Sequence, residues 1–183
     1  MFNEIAILDA IQTIRNPLLD KIMISITTLG DAGIIWILLA IVLVNNKKYR
    51  RTGIILAVAL VVDLILCNIL LKPVIARTRP FDINTMVELI VKRPVDYSFP
   101  SGHTAGSFAA TVGLFLAKNK KMAIGALIIS VLIAFSRLYL YVHFLTDVLG
   151  GIAAGIVAGT VGYLIVIKVE KKLEEKKQKG NIE

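Results

Sequence analysis

The segment GIILAVALVVDLILCNILL, residues 53–71, decides what kind of fold this chain adopts. It approaches the roughly 20 apolar residues an α-helix needs to cross a bilayer. Charge returns directly after it in KPVIARTRP, residues 72–80, where Pro80 stops helical continuation. The rest of the chain has the same character. It is 56% hydrophobic and 19% charged, with a mean hydropathy of +0.76, above the roughly 45–50% apolar content of soluble domains. A soluble fold of 183 residues would need more polar surface than this composition supplies; lipid-facing helices do not. The reading is an all-α, polytopic membrane protein of one domain.

Apolar runs separated by polar breaks predict six spans, near 18–30, 32–44, 53–71, 103–117, 122–138 and 146–168. The first two are short and joined by TTLGDAG (27–33), which predicts a tight helical hairpin. Residues 3–15 predict a helix lying along the interface, with Ile7, Ile11 and Ile14 on one stripe. Small residues four apart (Gly106, Ala110; Ala154, Ala158, Gly162) suit close helix packing. Asp9, Gln12 and Arg15 interrupt the first apolar residues and no small-residue cleavage site follows, so a cleaved signal peptide is not expected. The single cysteine, Cys67, excludes an intrachain disulfide.

The net charge of +8 comes in short runs, NNKKYRR (45–51), KNKK (118–121) and the tail 170–183 with its approach. Charge so placed orients membrane helices and does not form a nucleic-acid groove. Six spans put these clusters and both termini on the cytoplasmic side. Lys72, Arg77, Arg79, Arg137, His103, His143 and Asp147 then gather on the outer side, against the orientation rule, and need another reason to be there.

Taken singly, each motif leaves two readings open. Lys72, Arg77 and Arg79 can complement a helix C-terminus or bind an anion. FPSGHT (99–104) has the form of a helix start, with Ser101 as cap and free first-turn amides able to hold phosphate beside His103. In SRLYLYVHFLTD (136–147), His143 and Asp147 are four apart, so that on a helix the carboxylate could take Nδ1–H and leave the other nitrogen as nucleophile. A zinc site of His103, His143 and Asp147 is disfavoured by the surrounding cations and the lack of an HExxH pattern.

Together, Lys72–x6–Arg79–Pro80, Pro100–Ser101–Gly102–His103 and Ser136–Arg137–x5–His143–x3–Asp147 resemble the three-part signature of the type 2 phosphatidic acid phosphatase superfamily. That family contains lipid phosphatases, bacterial acid phosphatases and vanadium haloperoxidases. The resemblance implies catalytic roles for His143 as nucleophile, Asp147 as its orienting carboxylate and His103 as general acid. It implies phosphate binding by Lys72, Arg79, Arg137 and the amides of Ser101 and Gly102, and no metal or other cofactor. Arg77 is not a fixed motif position and reads as a supporting charge; Lys92 and Arg93 read as headgroup contacts or a solvated loop. The small form of the chain is similar to bacterial members acting on undecaprenyl diphosphate, phosphatidylglycerol phosphate or phosphatidate, lipids met in the bilayer. A non-catalytic lipid-phosphate binder or transporter is the alternative from another class; haloperoxidase relatives are soluble and much larger. Asp63 and Asn68 are polar residues inside the third span. Asp63 lies about 13 Å before Lys72 at 1.5 Å per residue, which predicts an interhelical hydrogen bond or a packed carboxyl.

Overall fold

A computed structural model describes residues 4–180, all of whose regular elements are helical. Residue 3 of the expected N-terminal helix and residues 181–183 of the tail lie outside the described residues. In order the helices are α1 (Glu4–Gln12), α2 (Pro17–Leu29), α3 (Ile34–Asn45), α4 (Arg50–Asp63), a π-helical stretch Leu64–Leu71, α5 (Lys72–Ile75), α6 (Pro80–Ile83), α7 (Gly102–Leu116), α8 (Lys120–Tyr139) and α9 (Leu145–Gly180).

The expected count of six spans is not what the helices give. Among the described residues three helical segments are long and apolar enough to cross a membrane, Arg50–Ile83, Lys120–Tyr139 and Leu145–Lys179. The pair α2 and α3 makes a fourth if read as one broken span. It is no hairpin. Asn16 starts α2 by accepting the Leu19 amide at 3.0 Å, with Pro17 in the first turn. At the other end Ala32 (φ 50°) and Gly33 (φ 68°) adopt left-handed backbone, which bends the chain by 44° without turning it back.

That bend moves the N-terminus. Helix α1 packs on the end of the bundle that carries the motifs: Gln12 donates to the Tyr139 carbonyl (2.9 Å), and Asp9 accepts from the Tyr141 hydroxyl (2.7 Å). Its inward face is Leu8 with Ile5 and Ile11; of the expected stripe Ile7, Ile11, Ile14, the last lies beyond the helix and is exposed. At the opposite end, Arg51 clasps Glu170 of α9 through two nitrogens, at 2.9 and 3.0 Å. The two termini therefore stand at opposite ends of the bundle, where the six-span reading put them together. Helix α9 also continues through most of the charged tail.

Helix α7 is the central element, buried between α4, α8 and α9. It reaches only about 22 Å at 1.5 Å per residue because it begins inside the bundle, at the motif level. Two glycines of α9 permit the packing. A Cβ on Gly155 would lie 2.5 Å from the Ala105 carbonyl of α7, and one on Gly162 would lie 2.6 Å from the Ala59 Cα of α4. Polar side chains fasten the same helix: Trp36 donates to Ser107 (3.0 Å), and Ser130 donates to the Ser107 carbonyl (2.9 Å). The outward faces carry large apolar residues such as Val61, Ile69, Ile124, Ile128 and Leu164, all exposed, as lipid-facing surfaces require.

Candidate active site

Six of the eight predicted site residues line one cavity of about 690 Å³: Lys72, Arg79, Gly102, His103, Arg137 and His143. They come from four separate stretches of chain. The π-helical segment delivers Lys72, the turn before α6 delivers Arg79, the first turn of α7 delivers Gly102 and His103, and α8 with the turn after it delivers Arg137 and His143.

His143 is not on a helix with Asp147. It lies in the turn 140–144, and Asp147 lies in the first turn of α9. Tyr141 takes a positive φ of 60°, costly for a bulky residue, and its hydroxyl is fixed by Asp9 and by Asn84 (3.0 Å). This reversal sends His143 back toward the cavity. Asp147 accepts the Phe144 amide at 2.8 Å, the return half of a capping box. From there Oδ2 stands 3.5 Å from His143 Nδ1, and Ser98 Oγ, also 3.5 Å from Nδ1, donates to that same Oδ2. The acceptors on the Nδ1 side favour the Nδ1–H tautomer, leaving Nε2 to face the cavity 3.3 Å from Arg79 Nη1. Burial, and then the charges of Arg137 and Arg79, push His143 well below the ordinary imidazole range against the opposing pull of Asp147. In this tautomer Nε2 is an acceptor that meets Arg79 Nη1 at the cavity wall.

The cations are held differently from one another. Arg79, nearly fully buried, donates to the Val142 carbonyl (2.7 Å), the Asp96 carbonyl (2.8 Å) and Asp96 Oδ1 (2.6 Å). Lys72 pairs with the other oxygen of the same carboxylate. Burial raises the Asp96 carboxyl, but Lys72 and Arg79 more than offset it and hold it down to about 2. A carboxylate thus sits on the two cations nearest the π-helix. Arg137 has no such partner. At 5% exposure its guanidinium makes one hydrogen bond among the described residues, to the Thr27 hydroxyl (2.5 Å), and its Nε has none. His103 is backed by Asp31 at 2.8 Å.

Ser101 departs from expectation. Its side chain does not cap α7, its amide donates to the Asp147 carbonyl at 3.0 Å, and the residue is fully buried away from the cavity. The start of α9 takes that amide, so the amides left at this helix end are those beyond it, near Gly102.

The structure adds residues that the motif reading did not assign. Arg77 bridges Asp147 Oδ1 (2.6 Å) and Glu4 Oε2 (2.6 Å), with its guanidinium 4.1 Å over the Phe144 ring. Glu4 in turn accepts the Thr146 amide at 2.8 Å; burial raises its carboxyl, but Thr146 and Arg77 outweigh that and lower it. Asp96 and Ser98 precede the second motif directly and were within reach of a sequence reading. Glu4, Asp31 and Thr27 come from the first thirty-one residues and carry no spacing signal. Among the described residues Asp63 makes no interhelical hydrogen bond; it accepts from Cys67 Sγ at 3.2 Å and packs against Gly106. Among the described residues no group of three or more His, Cys, Asp or Glu is placed to hold a metal ion.

The sequence profile of the PAP2 superfamily matches residues 52–171. Phosphatidylglycerophosphatase B of Bacillus subtilis is 38% identical over 158 residues, covering 80% of this chain and 74% of its own length. Undecaprenyl-diphosphatase BcrC of Bacillus subtilis is 33% identical over 138 residues, covering 75% of this chain and 70% of its own. An undecaprenyl-diphosphatase of Sulfolobus acidocaldarius is 36% identical over 117 residues, 64% of this chain; the chain spans just over half, 56%, of that relative. The crystal structure of a transmembrane PAP2 type phosphatidylglycerolphosphate phosphatase from Bacillus subtilis superposes with a TM-score of 0.70 at 33% identity, covering 92% of this chain and 85% of its own. That of Aquifex aeolicus LpxE gives 0.74 at 28%, covering 86% and 92%.

Proposed function

The chain belongs to the PAP2 superfamily, and we propose that it is an integral-membrane lipid phosphatase working through a phosphohistidine. The observation that carries this reading is Arg137, a guanidinium buried with one neutral partner and an unpaired Nε, facing the cavity that His143 Nε2 also faces. A buried charge without a counter-ion is costly. A phosphoryl group seated between Arg137, Arg79 and Lys72 supplies that counter-ion and presents phosphorus to Nε2.

In the proposed reaction Nε2 attacks phosphorus in line. The P–N bond forms as the P–O bond to the lipid breaks, and His103 gives its proton to the departing oxygen. Asp31 orients His103, and Asp147 stabilises the imidazolium character that develops on His143. Water then attacks the phosphohistidine and loses its proton to His103. The P–N bond breaks and inorganic phosphate leaves. The guanidinium and ammonium groups, with the amides at Gly102, stabilise the charge on the non-bridging oxygens. Undecaprenyl diphosphate, phosphatidylglycerol phosphate and phosphatidate are the proposed substrates. The basic clusters lie at the end opposite the cavity, which supports an extracytoplasmic site, a cytoplasmic C-terminus and α1 lying at the outer interface. Labelling of Met86→Cys by an impermeant thiol reagent on intact cells tests that side, since Met86 is exposed and Cys67 is buried; labelling only after lysis would overturn it.

Purified protein in detergent should release phosphate from at least one of these lipids with EDTA present. No release from any of the three sinks the reading. Asp96 should compete with substrate. It is ionised at any working pH, and since its folded value is below its unfolded one, its pairing stabilises the fold above about pH 4 and ceases to as pH falls toward 2. Asp96→Asn is expected to lower KM several-fold at unchanged kcat, and to tighten inhibition by orthovanadate. A raised KM would instead make Asp96 the organiser of Lys72 and Arg79. Arg77 is a positioning residue. Arg77→Ala should cut kcat about tenfold with KM within twofold, measured on the same lipid; a KM effect alone would place Arg77 on the substrate.

A further inference from the structure

The helix that ends at Lys72 changes its winding on the way. It is α-helical over Arg50–Asp63, π-helical over Leu64–Leu71 and α-helical again from Lys72. Nine residues of α-helix make two and a half turns, which would put Asp63 and Lys72 on opposite faces at 3.6 residues per turn. An i→i+5 ladder has about four to five residues per turn, so nine residues make about two whole turns. The π-helical stretch thereby turns Asp63, Asn68 and Lys72 toward α7. A Cβ on Gly106 would lie 3.3 Å from Asp63 Oδ2. One on Gly102 would lie 3.4 Å from Asn68 Oδ1 and 3.7 Å from Lys72 Nζ. All three side chains line the cavity of the candidate site, which continues below them as an apolar groove between Ile37, Ile41 and Val44 of α3 and Leu60 and Val61 of α4.

Two of the three polar groups have partners: Lys72 has Asp96, and Asp63 has Cys67. The Asn68 side chain forms no hydrogen bond among the described residues, although it is exposed to the cavity. An amide offers two donors and an acceptor, and here they are open to whatever occupies the cavity. Asn68 stands beside Lys72 and Gly102, on a cavity wall that also includes the apolar residues of the groove.

We propose that Asn68 is a substrate-binding residue that reads the ester and hydroxyl groups of a glycerophospholipid where its chains leave the phosphate and enter the groove. This rests on the lipid phosphatase reading and narrows it. A polyprenyl monophosphate has no polar atom beyond its bridging oxygen and leaves the amide unpaired. A glycerol backbone offers carbonyl oxygens to the amide N–H groups, and Asp63, one π-turn deeper, adds a second polar position on the same wall.

The test compares kcat/KM of the wild type, Asn68→Leu and Asn68→Gln on phosphatidate and on undecaprenyl phosphate in the same detergent. Asn68→Leu is expected to lose tenfold or more on the glycerophospholipid, mainly through KM, and to stay within twofold on the polyprenyl substrate. Asn68→Gln should recover part of the loss. An equal loss on both lipids, or none on either, would overturn the assignment. Asn68 is exposed to the cavity, so the leucine should fold; an unchanged melting temperature checks that. If the wild type hydrolyses none of the proposed lipids, the phosphatase reading fails; if it hydrolyses the polyprenyl lipid but not phosphatidate, or both without discrimination by the variants, only the role of Asn68 does.

Discussion

Replacing His143 with alanine is expected to lower turnover at least 10³-fold, the scale on which removal of a catalytic nucleophile acts, while orthovanadate still binds. The separation follows from the geometry. Nε2 faces the cavity beside Arg79, but the anion-holding groups do not depend on the ring. Arg79 is pinned by the Val142 and Asp96 carbonyls, Lys72 by Asp96 and Arg137 by Thr27. Removing the imidazole therefore leaves the cradle and takes away the atom that forms the bond to phosphorus. In the wild type, rapid quench with labelled substrate should recover acid-labile, base-stable phosphate on His143. Wild-type turnover by His143→Ala would refute the mechanism, and label on His103 instead would exchange the two roles. The depressed imidazole also fixes a pH dependence. Because His143 remains neutral well below the usual histidine range, an acid limb of kcat/KM near pH 6.5 should not come from it.

How much of this was legible depended on whether a feature is local. The cavity residues were readable because each motif encodes its own turn: Pro80 ends a helix, Pro100 and Gly102 begin one, and the four-residue step from His143 to Asp147 holds whether or not both stand on a helix. What failed was long-range. Nothing in PSGH shows that the start of α9 will take the Ser101 amide, which removes one expected phosphate donor. Nothing in an isolated Glu4 shows that it will hold Arg77 from 73 positions away. The topology failed for a different reason. Run lengths count apolar segments but not their directions, and in TTLGDAG two left-handed residues produce a bend where the composition suggested a reversal. One misread turn moved a terminus to the other end of the bundle. The π-helical stretch was equally hidden, since LILCNILL is apolar in any winding and only the facing of Asp63 and Lys72 reveals it.

Arg137→Met is expected to separate stability from function. Catalysis should fall 10²–10³-fold in kcat/KM, in the range for losing one group that stabilises transition-state charge. The substrate-free protein should nevertheless melt at or above the wild-type temperature. In the empty site Arg137 is a buried cation whose guanidinium has one hydrogen bond among the described residues, to the Thr27 hydroxyl, which contributes roughly 1.5–3 kcal/mol. Against this stands a desolvation penalty of several kcal/mol for a buried ion, with Arg79 adding like charge nearby and the Asp31 and Asp96 carboxylates acting only from a distance, neither paired to it. A methionine of similar reach fills the space without that penalty and leaves only the Thr27 hydroxyl seeking a partner. Ligand binding reverses the order. Orthovanadate should raise the melting temperature of the wild type, because it binds the folded state alone, and should raise that of the variant far less. Differential scanning fluorimetry in detergent, with and without orthovanadate, reads both effects. A substrate-free variant that melts well below wild type, or one that keeps the full orthovanadate shift, would mean that Arg137 is a structural cation and that the phosphoryl group sits elsewhere in the cavity.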